Sequence, residues 1–596
     1  LMIEVSEAPV ADPITSGGLT DSVVHHASAT PDRVALRRLV GGQWSEVSAK
    51  QFHDEVIDLA KGLIAAGIEH GDRIAIMSAT RYEWTLADYA GWFVGATVVP
   101  IYETSSAEQV EWILSDAGCV AVFLEADRHK ATFAEVADKV PTKHVWVFDD
   151  GAVADLVAAG ADISAAEVES RRSAVGPEDI STIIYTSGTT GRPKGCVLTQ
   201  SNFRFEVDNV VKSMPNLFDS TSSTLLFIPL AHVFGRVIQV GCIESGTVLG
   251  HTSDVKNIVA HLGEFKPSFL LSVPRVFEKV YNNARTKAVN DGKGKIFDMA
   301  ASEAISYSKA LDTGGPSLVQ KIKHFVFDKL VYSKLRAALG GEVKYAVSGG
   351  AALGDRLGHF FRGIGVTILE GYGLTETSAA TTVNRPDAIR VGSVGRPIPG
   401  ASVKIASDGE ILIKGRQICR GYWNNEKATA EVLEADGWFH SGDIGELDKD
   451  GFLRITGRKK ELIVTAGGKN VAPAVLEDRL RAHMLISQCM VVGDNKPYIA
   501  ALITLDPEAV PTWLDQNDLP ADTPIADLAN NPKVIAEMQQ AVDQANKAVS
   551  NAEAIKKFHI LGVDWTEEGG QLTPSMKLKR NVVMKEFGSD VEALYA

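Results

Sequence analysis

Apolar residues in the first part of the chain alternate between two spacings. From Phe52 to Leu63 they recur at every third or fourth position, the spacing of one helical face, and Gly67 ends this pattern. The largely apolar run Arg73–Met77 follows and has the length of a buried strand. The same order returns at Val110–Leu114 and Val120–Leu124. This alternation predicts an α/β fold of layered subdomains with mainly parallel strands.

Three longer segments interrupt the alternation. Gly151–Asp179 is rich in alanine, glycine and acidic residues, and we interpret it as a surface connection. Val276–Leu339 and Pro532–Lys556 are polar segments with helical spacing, and we expect both to be helical.

The pattern changes near Lys460. The strand-like run Phe452–Thr456 leads into the charged run Arg458–Glu461, and the amphipathic segment Ala474–Arg481 precedes the apolar run Met490–Val492. A chain of 596 residues is too long for one ordinary core, so a second domain is expected. We therefore predict a large N-terminal α/β domain over residues 1–459 and a small C-terminal α/β domain over residues 460–596.

A basic segment lies inside the long helical stretch. Residues 318–336 contain one acid, Asp328, and five basic residues, and their apolar positions form a single helical stripe. Such a helix either rests on an anionic membrane surface or covers the core with its charged face in solvent. The basic residues are Lys321, Lys323, Lys329, Lys334 and Arg336, and the apolar positions are 318, 322, 325, 326, 330 and 335.

Composition narrows the classes of function. The 60 basic and 75 acidic side chains give a net charge of −15, which disfavours general nucleic-acid binding. The five cysteines are scattered without C-x-x-C spacing, which indicates a reducing compartment rather than disulfides or zinc. Residues 1–18 lack a signal-peptide core, and no apolar run of membrane-spanning length occurs. We expect a cytoplasmic protein, with residues 318–336 as the candidate contact with the inner face of the membrane.

The strongest chemical motif is the segment Ile183–Gly195, which reads IIYTSGTTGRPKG. An apolar strand enters a loop of glycines and hydroxyl residues that ends in Lys194, and such a loop brings N–H, O–H and ammonium donors close to phosphates. The loop is not a Walker A motif, because Pro193 precedes the lysine and Gly195 stands where a magnesium-binding Ser or Thr would be required.

This segment resembles the phosphate loop of the adenylate-forming superfamily of acyl-CoA synthetases, peptide-synthetase adenylation domains and luciferases. A second segment, EGYGLTE over residues 370–376, also resembles that family. The resemblance implies that Tyr372 stacks on adenine, that Thr375 approaches the α-phosphate, and that Glu376 helps to hold Mg²⁺, which prefers carboxylate oxygen.

Three further segments follow in the family's order: DGWFHSGD ending at Asp443, GRKKE over residues 457–461, and LTPSMKLKR over residues 572–580. By resemblance Asp443 and Arg458 bind the ribose, Lys460 is the pivot between the domains, and Lys577 is the adenylation lysine. Read alone, these segments are an ordinary turn, a solvated charge cluster and a basic terminal run.

Weaker family-like elements complete the predicted site. Ser348–Ala351 is expected beside the adenylate, and His232 is either near the acyl carboxylate or a packed core histidine. The predicted catalytic residues are Lys577, Thr375, Glu376 and His232, and Glu376 and Thr186 are the predicted Mg²⁺ ligands. The remaining predicted ligand-binding residues are Thr186, Ser187, Gly188, Thr189, Thr190, Gly191, Lys194, Gly349, Gly350, Tyr372, Gly373, Asp443, Arg458 and Gly468.

The resemblance implies activation of a fatty acid by ATP and transfer of the acyl group to coenzyme A. It also implies a mobile C-terminal domain, in which Lys577 serves adenylation and the face of Gly467–Lys469 serves thioester formation. The long insertions resemble long-chain acyl-CoA synthetases, but Arg236 stands where some bacterial long-chain enzymes have a gating aromatic. The alternatives are a fatty acyl-AMP ligase that loads a carrier protein and a non-catalytic lipid- or nucleotide-binding module.

Overall fold

The computed structural model describes residues 3–186 and 192–596 and confirms the predicted α/β class. The largest sheet of the N-terminal part has seven strands in the order β19-β9-β8-β5-β4-β6-β7, and the five strands from β8 to β7 run parallel. The strands are β4 (Arg73–Met77), β5 (Thr97–Ile101), β6 (Cys119–Leu124), β7 (His144–Val147), β8 (Ile180–Thr186), β9 (Lys194–Thr199) and β19 (Gly421–Tyr422).

Two further sheets mix parallel and antiparallel pairs. One has the order β10-β11-β2-β3 and the other the order β12-β13-β14-β15-β16. Their strands are β2 (Val34–Val40), β3 (Gln43–Ser48), β10 (Ser223–Leu226), β11 (Val248–His251), β12 (Phe269–Ser272), β13 (Tyr345–Ser348), β14 (Thr367–Leu374), β15 (Ala379–Val383) and β16 (Arg396–Pro397).

The fourth sheet is entirely antiparallel, so the expectation of mainly parallel strands is wrong for this part of the chain. Its order is β1-β17-β18-β20-β21, where β1 is Glu4–Ser6, β17 is Ser402–Ile405, β18 is Glu410–Lys414, β20 is Phe439–Leu447 and β21 is Leu453–Arg458. Two Asp-Gly turns explain the difference, because Gly409 (φ 87°) and Gly451 (φ 84°) adopt the left-handed conformation that tight hairpins require.

Helices cover the sheets of the N-terminal part. They are α1 (Asp21–Ala29), α2 (Ala49–Ala65), α3 (Tyr82–Phe93), α4 (Ala107–Ala117), α5 (Asp127–Ala134), α6 (Ala152–Ala159), α7 (Ala165–Ser173), α8 (Gln200–Ser213), α9 (Val233–Ser245), α10 (Ile258–Phe265), α11 (Pro274–Asn290), α12 (Gly294–Leu311), α13 (Leu318–Phe327), α14 (Ser333–Ala338), α15 (Asp355–Gly363) and α16 (Glu426–Val432). The helical interpretation of Val276–Leu339 is confirmed by α11–α14.

Helix α2 follows directly from its sequence. Ser48 begins it, because the Ser48 hydroxyl accepts a hydrogen bond from the Gln51 N–H (3.0 Å). The apolar residues between Phe52 and Leu63 are all turned into the core. The helix reaches Ala65, and Gly67 (φ 87°) then turns the chain toward β4.

The interpretation of Gly151–Asp179 as a mere surface connection is wrong, since this segment forms α6 and α7. Alanine favours helix, and Leu156 and Val168 are buried against the N-terminal core. Gly62 of α2 permits this packing, because a Cβ atom there would lie 2.3 Å from the Leu156 carbonyl oxygen.

The C-terminal part has its own core around the sheet β24-β25-β26. Its strands are β22 (Ile463–Val464), β23 (Asn470–Val471), β24 (Ile486–Val492), β25 (Ile499–Leu505) and β26 (Ile555–Ile560). Its helices are α17 (Pro473–Arg481), α18 (Val510–Gln516), α19 (Ile525–Leu528), α20 (Pro532–Asn546), α21 (Arg580–Glu586) and α22 (Gly588–Ala593).

The helix expected over Pro532–Lys556 is shorter than predicted. Helix α20 ends at Asn546, whose side-chain amide bonds both the N–H (2.8 Å) and the carbonyl (3.0 Å) of Ile555. These bonds tie the end of the helix to the start of β26, so residues 547–554 form the connection between them.

The two parts of the chain touch beside the start of α11. The Arg275 guanidinium pairs with Asp506 (2.9 Å) and donates to the carbonyl oxygens of Arg481 (3.0 Å) and Ile486 (3.1 Å). A one-turn helix over Lys459–Glu461 links the two parts, at the position predicted for the hinge. Within the described ranges, no helix is both long and apolar enough to cross a membrane.

Candidate active site

The predicted phosphate loop joins two paired strands. β8 and β9 form an antiparallel hairpin in which Thr186 lies opposite Lys194, and the Thr186 hydroxyl donates to the Lys194 carbonyl (3.4 Å). The predicted loop residues Ser187, Gly188, Thr189, Thr190 and Gly191 lie outside the described residues. The hairpin places Thr186 and Lys194 at the two ends of that loop, at the rim of the seven-stranded sheet.

Lys194 reaches the EGYGLTE segment through an aromatic ring. Its ammonium lies over the ring of Tyr422 at 4.9 Å from the centroid, and the Tyr422 hydroxyl donates to a Glu376 carboxylate oxygen (2.7 Å). The Cys419 N–H also donates to the Glu376 carbonyl (2.8 Å). Lys194, which ends the predicted phosphate loop, and the predicted magnesium ligand Glu376 are therefore joined through Tyr422.

Glycine is required where β14 bends toward the site. A Cβ atom on Gly373 would lie 1.4 Å from the Ala379 carbonyl oxygen, and the pairing with β15 shifts at this point. A short 3₁₀ turn over Thr375–Thr377 follows, closed by the Thr377 hydroxyl, which accepts from the Leu374 N–H (3.0 Å). This turn presents the side chains of Thr375 and Glu376 at the end of the strand.

Tyr372, Asp443 and Arg458 meet at the end of the antiparallel sheet. The Tyr372 hydroxyl donates to one Asp443 oxygen (2.5 Å), and the Arg458 Nε lies 3.4 Å from the other. Asp443 and Arg458 are also paired across β20 and β21. Burial raises the pKa of Asp443, and the positive charge of Arg458 is the largest opposing influence.

Lys577 lies on a tight turn of the C-terminal part. The Thr573 N–H donates to the Lys577 carbonyl (2.8 Å), and the Thr573 hydroxyl accepts from the Lys577 N–H (3.0 Å). Met576 has a φ of 63°, in the left-handed region that L-residues seldom adopt. The turn thus fixes the backbone from which the lysine extends.

Lys577 is exposed to solvent, yet groups of the N-terminal part are close enough to influence its ammonium. Partial desolvation and the nearby positive charge of Arg458 lower the pKa of that ammonium. Asp443 and Glu376 act in the opposite direction through their negative charge. A lysine of the C-terminal part is therefore brought to the carboxylates of two N-terminal motifs.

His232 precedes α9 and lies near Lys577. Its Nδ1 accepts from the Phe234 N–H (3.1 Å), which leaves the proton of a neutral ring on Nε2. Burial, with the positive charge of Lys577 as the second cause, lowers the pKa of His232 to about 4. His232 is therefore a neutral hydrogen-bond donor near pH 7.

Gly349 and Gly350 lie beside the start of α9. A Cβ atom at Gly349 would come within 3.1 Å of the Phe234 ring, so glycine permits this close approach. Gly350 has a φ of 86°, which also favours glycine. The loop after β13 therefore borders the same end of α9 as His232.

The donor set fits magnesium. Glu376 offers a carboxylate and Thr186 a hydroxyl oxygen, both hard ligands of the kind that Mg²⁺ takes together with nucleotide oxygens. Both side chains are partly open to solvent, and Lys194 connects them through its strand pairing with Thr186 and its contact with Tyr422.

Gly468 is not brought to this site. It lies in the exposed turn between β22 and β23, with a φ of 76° and no atom within 4 Å of where a Cβ would be. Arg236 is not in an open channel either. It is fully buried in an ion pair with Asp88 (2.7 Å), between the rings of Trp84 and Trp92. The position of the gating aromatic is therefore filled by a fixed charged pair.

Two contributors were missed from the sequence. Tyr422 joins Lys194 to Glu376, and its only local signal is its place between Gly421 and another aromatic residue. Arg275 contacts the C-terminal part from the first turn of α11, where a lone arginine carries no motif. Both act through partners that are distant in the sequence, so local pattern does not reveal them.

Comparisons with known proteins agree with this arrangement. A sequence profile described as AMP-binding enzyme matches residues 23–423, and one described as AMP-binding enzyme C-terminal domain matches residues 460–596. Two proteins named Long-chain-fatty-acid--CoA ligase FadD15, from Mycobacterium bovis and Mycobacterium tuberculosis, are each 52% identical over 596 residues, which cover 99% of this chain and 99% of the relative. Long-chain-fatty-acid--CoA ligase ACSBG2 of Xenopus laevis is 31% identical, covering 100% of this chain and 85% of the relative.

Solved structures share the fold. The A-PCP didomain of a carboxylic acid reductase from Segniliparus rugosus, in complex with AMP, has a TM-score of 0.74 at 22% identity and covers 97% of this chain and 82% of that one. A Mycobacterium tuberculosis fatty acyl CoA synthetase has a TM-score of 0.62 at 22% identity, with coverage of 96% and 99%. Because both family profiles match and relatives are 52% identical over their full length, this chain belongs to the AMP-binding enzyme family.

Proposed function

We propose that this chain is an AMP-forming long-chain fatty acid–CoA ligase, with ATP, a long-chain fatty acid and coenzyme A as its substrates. The full-length relatives at 52% identity carry that activity in their names. The observation that carries the proposal is the position of Lys577, whose ammonium is close enough to Glu376 and Asp443 for their negative charge to influence its pKa. That position matches the adenylation step of such a reaction.

In the first step a fatty acid carboxylate oxygen attacks the α-phosphorus of ATP. The new O–P bond gives the acyl-adenylate, and pyrophosphate leaves. Negative charge increases on the phosphate oxygens in the transition state, so fixed cationic and N–H donors stabilise it more than the ground state. Lys577 supplies such a charge from the C-terminal part, and Lys194 and Thr375 supply donors from the N-terminal part.

His232 has a separate role in this proposal. Because its ring is neutral and Nδ1 is occupied, Nε2–H is the group that can donate to the acyl carboxylate. A carboxylate is already ionised at neutral pH and needs no base. His232 therefore orients the attacking oxygen rather than removing a proton.

In this proposal the nucleoside binds where β14, β20 and β21 meet. The Asp443 carboxylate can accept further hydrogen bonds besides that from Tyr372, and ribose hydroxyls are suitable donors. Arg458 lies beside that carboxylate, and its positive charge opposes the rise in the pKa of Asp443 that burial causes. The hydroxyl bond also orients the Tyr372 ring, which we assign to adenine stacking, and Gly373 keeps the strand bulged beneath it.

Glu376 and Thr186 are the residues that would hold Mg²⁺. When bound, the ion neutralises charge on the nucleotide phosphates. Tyr422 donates to Glu376 and so orients its carboxylate, while the tyrosine ring keeps the Lys194 ammonium beside it.

In the second step the coenzyme A sulfur attacks the acyl carbonyl of the adenylate. A C–S bond forms, the thiol proton is released, and AMP leaves. We propose that the C-terminal domain, residues 460–596, first rotates about Lys460 to exchange the Lys577 turn for the face that carries Gly468. The solvent exposure of that face in the present orientation supports this assignment.

The direct test follows pyrophosphate and thioester in the same reaction. With ATP, Mg²⁺ and palmitate, the purified protein should release pyrophosphate, and added coenzyme A should yield palmitoyl-CoA. Acetate and octanoate serve as shorter comparison substrates and should react more slowly. Accumulation of palmitoyl-adenylate with no thioester would reject the CoA ligase in favour of a fatty acyl-AMP ligase. Absence of pyrophosphate release with every acid would reject adenylation altogether.

We also propose a cytoplasmic location. All five cysteines are buried free thiols, as expected in a reducing compartment. ATP and coenzyme A are available in that compartment.

A further inference from the structure

Helix α13 packs on the protein through two polar residues, with Phe327 against the core at its C-terminal end. Gln320 donates to the Ser306 hydroxyl of α12 (3.2 Å). His324 donates from Nε2 to the Gly363 carbonyl (2.6 Å) and stacks on Tyr307, with the ring centroids 4.0 Å apart. These residues lie one turn apart, so they share the inner face of the helix.

The apolar positions 318, 322, 325 and 326 of α13 therefore point outward. The predicted stripe is wrong at position 335, because a π-helical turn over Asp328–Tyr332 separates α13 from α14 and Leu335 of α14 is buried in the core. Leu318 is 74% exposed, Ile322 58% and Phe325 64%, and none of the ten residues of the helix is buried. This orientation contradicts a cover helix, which buries its apolar stripe as α2 does. Val319, Val326 and Leu330 are exposed as well and extend the apolar surface.

The charge beside this stripe is positive. Arg336 is paired with Asp328 (2.6 Å) and is thereby neutralised. The salt bridges found among the described residues involve none of Lys321, Lys323, Lys329 and Lys334. A chain with a net charge of −15 thus displays a locally basic apolar surface.

We propose that α13 lies on an anionic lipid bilayer, with its apolar stripe at the boundary between headgroups and acyl chains. Leu318, Ile322 and Phe325 provide the large apolar side chains that such a helix inserts. Lys321, Lys323 and Lys329 extend from the same segment to the lipid phosphates, each keeping its ammonium in the headgroup layer. The membrane is thus a partner with complementary charge and apolar character.

A second copy of the chain fits this surface less well. Two α13 helices packed face to face would bring their lysines together, and like charges repel at short range. An anionic bilayer removes that conflict, because its charge is opposite to that of the helix. For a ligase of long-chain acids, membrane contact also places the enzyme where its substrate partitions. That consequence rests on the proposed function, whereas the binding itself does not.

The test is flotation of the full chain with vesicles, and it requires no turnover. Vesicles of phosphatidylcholine with phosphatidylglycerol are compared with vesicles of phosphatidylcholine alone. The charge variant is Lys321→Glu/Lys323→Glu/Lys329→Glu, and the apolar variant is Ile322→Ser/Phe325→Ser. The matched control is Lys143→Glu/Lys212→Glu/Lys547→Glu, three exposed lysines in other parts of the chain.

Wild type and control should float with the phosphatidylglycerol vesicles, and raised salt should weaken this binding. The charge variant should bind at least on the order of 100-fold more weakly, since each lysine near an anionic surface contributes roughly a fivefold factor and each new glutamate is repelled by that surface. The apolar variant should also lose binding. All variants should keep the wild-type melting temperature and palmitate turnover in detergent, because the changed residues are surface-exposed and outside the candidate active site.

Several outcomes would overturn the proposal. These are wild type that floats with neither vesicle, variants that float as wild type does, and a control that loses binding as much as the charge variant. Light scattering tests the alternative partner, which is a second copy of the chain. A wild-type dimer that the apolar variant dissociates, without vesicle binding, would assign the surface to a second copy of the chain.

Discussion

Two turns of the C-terminal part have the same construction but different surroundings. In the first, the Thr465 N–H donates to the Lys469 carbonyl (3.0 Å), and the Thr465 hydroxyl accepts from the Lys469 N–H (3.1 Å). Thr573 and Lys577 repeat both bonds, at 2.8 and 3.0 Å. The residue before each lysine, Gly468 or Met576, is left-handed. Each turn therefore presents a lysine from the same backbone shape.

The difference between the turns lies in what they face. Lys577 lies among charged groups that shift its pKa, whereas Gly468 has open space around it. The first half-reaction can therefore use only one of the turns in this orientation. The other turn becomes available to the nucleotide only if the C-terminal part rotates. A mutation in one turn should therefore impair one half-reaction and leave the other intact.

The largest expected effect comes from Lys577→Ala. Loss of this charge should slow pyrophosphate release by roughly 10²–10³-fold, about 3–4 kcal/mol of transition-state stabilisation. The same variant, supplied with palmitoyl-adenylate and coenzyme A, should form palmitoyl-CoA at a near wild-type rate. Lys579→Ala is the control, two residues along the same run, and should retain both activities. Equal loss of both activities in Lys577→Ala would show that the two half-reactions do not depend on separate turns.

Glu376→Gln should slow the first half-reaction, as Lys577→Ala does, and should leave the second half-reaction unchanged. Glutamine keeps the volume but removes the charge, so pyrophosphate release should fall roughly 10–100-fold and require more Mg²⁺. A titration of Mg²⁺ against rate measures this, with Tyr422→Phe as a control that removes only the hydrogen bond to the carboxylate. An unchanged Mg²⁺ requirement would remove Glu376 from the list of metal ligands.

Gly468→Leu should give the opposite pattern. A leucine in the path of the thiol substrate would obstruct it at a cost of about 1–3 kcal/mol, which slows thioester formation roughly tenfold or more. Pyrophosphate release should stay normal because this turn is outside the candidate active site. Gly468→Asn separates obstruction from backbone strain, since asparagine tolerates the left-handed conformation. If Gly468→Leu left thioester formation intact, this turn would have no part in the second step.

The smallest expected effect concerns the contact that holds the present orientation. Arg275→Gln removes the partly exposed ion pair with Asp506, worth up to about 1 kcal/mol, so adenylation should slow no more than about fivefold. Thioester formation from preformed adenylate should not slow. Lys279→Gln, which removes the more exposed pair with Glu508, should change less. Slower thioester formation in Arg275→Gln would mean that the contact serves both orientations.

Local pattern predicted much of this fold, and α2 shows why. Its helical spacing, its Ser48 cap and the glycine after it are all local signals, and the structure follows them. The pattern was less informative for Gly151–Asp179, where alanine-rich helices resemble a loop in composition. It also failed for the sheet β1-β17-β18-β20-β21, because the helix–strand alternation did not take account of the Asp-Gly turns at Gly409 and Gly451.

The candidate site was also predicted only in part. The order of the motifs in the sequence identified Glu376, Asp443 and Lys577 as candidates, because each belongs to a recognisable segment. The approach of Lys577 to Glu376 and Asp443 depends on the contact between the two parts of the chain, and no local signal describes it. Tyr422 and Arg275 were missed because their partners are distant in the sequence.

The sequence by itself determined that α2 and α13 would each be a helix with one apolar stripe. Tertiary structure decided that the stripe of α2 is buried and that the stripe of α13 faces outward. The reason is physical: spacing determines which side chains share a face, whereas burial of that face depends on whether another surface reaches it. For α13, the bonds of Gln320 and His324 turn the polar face inward and leave the apolar face to solvent.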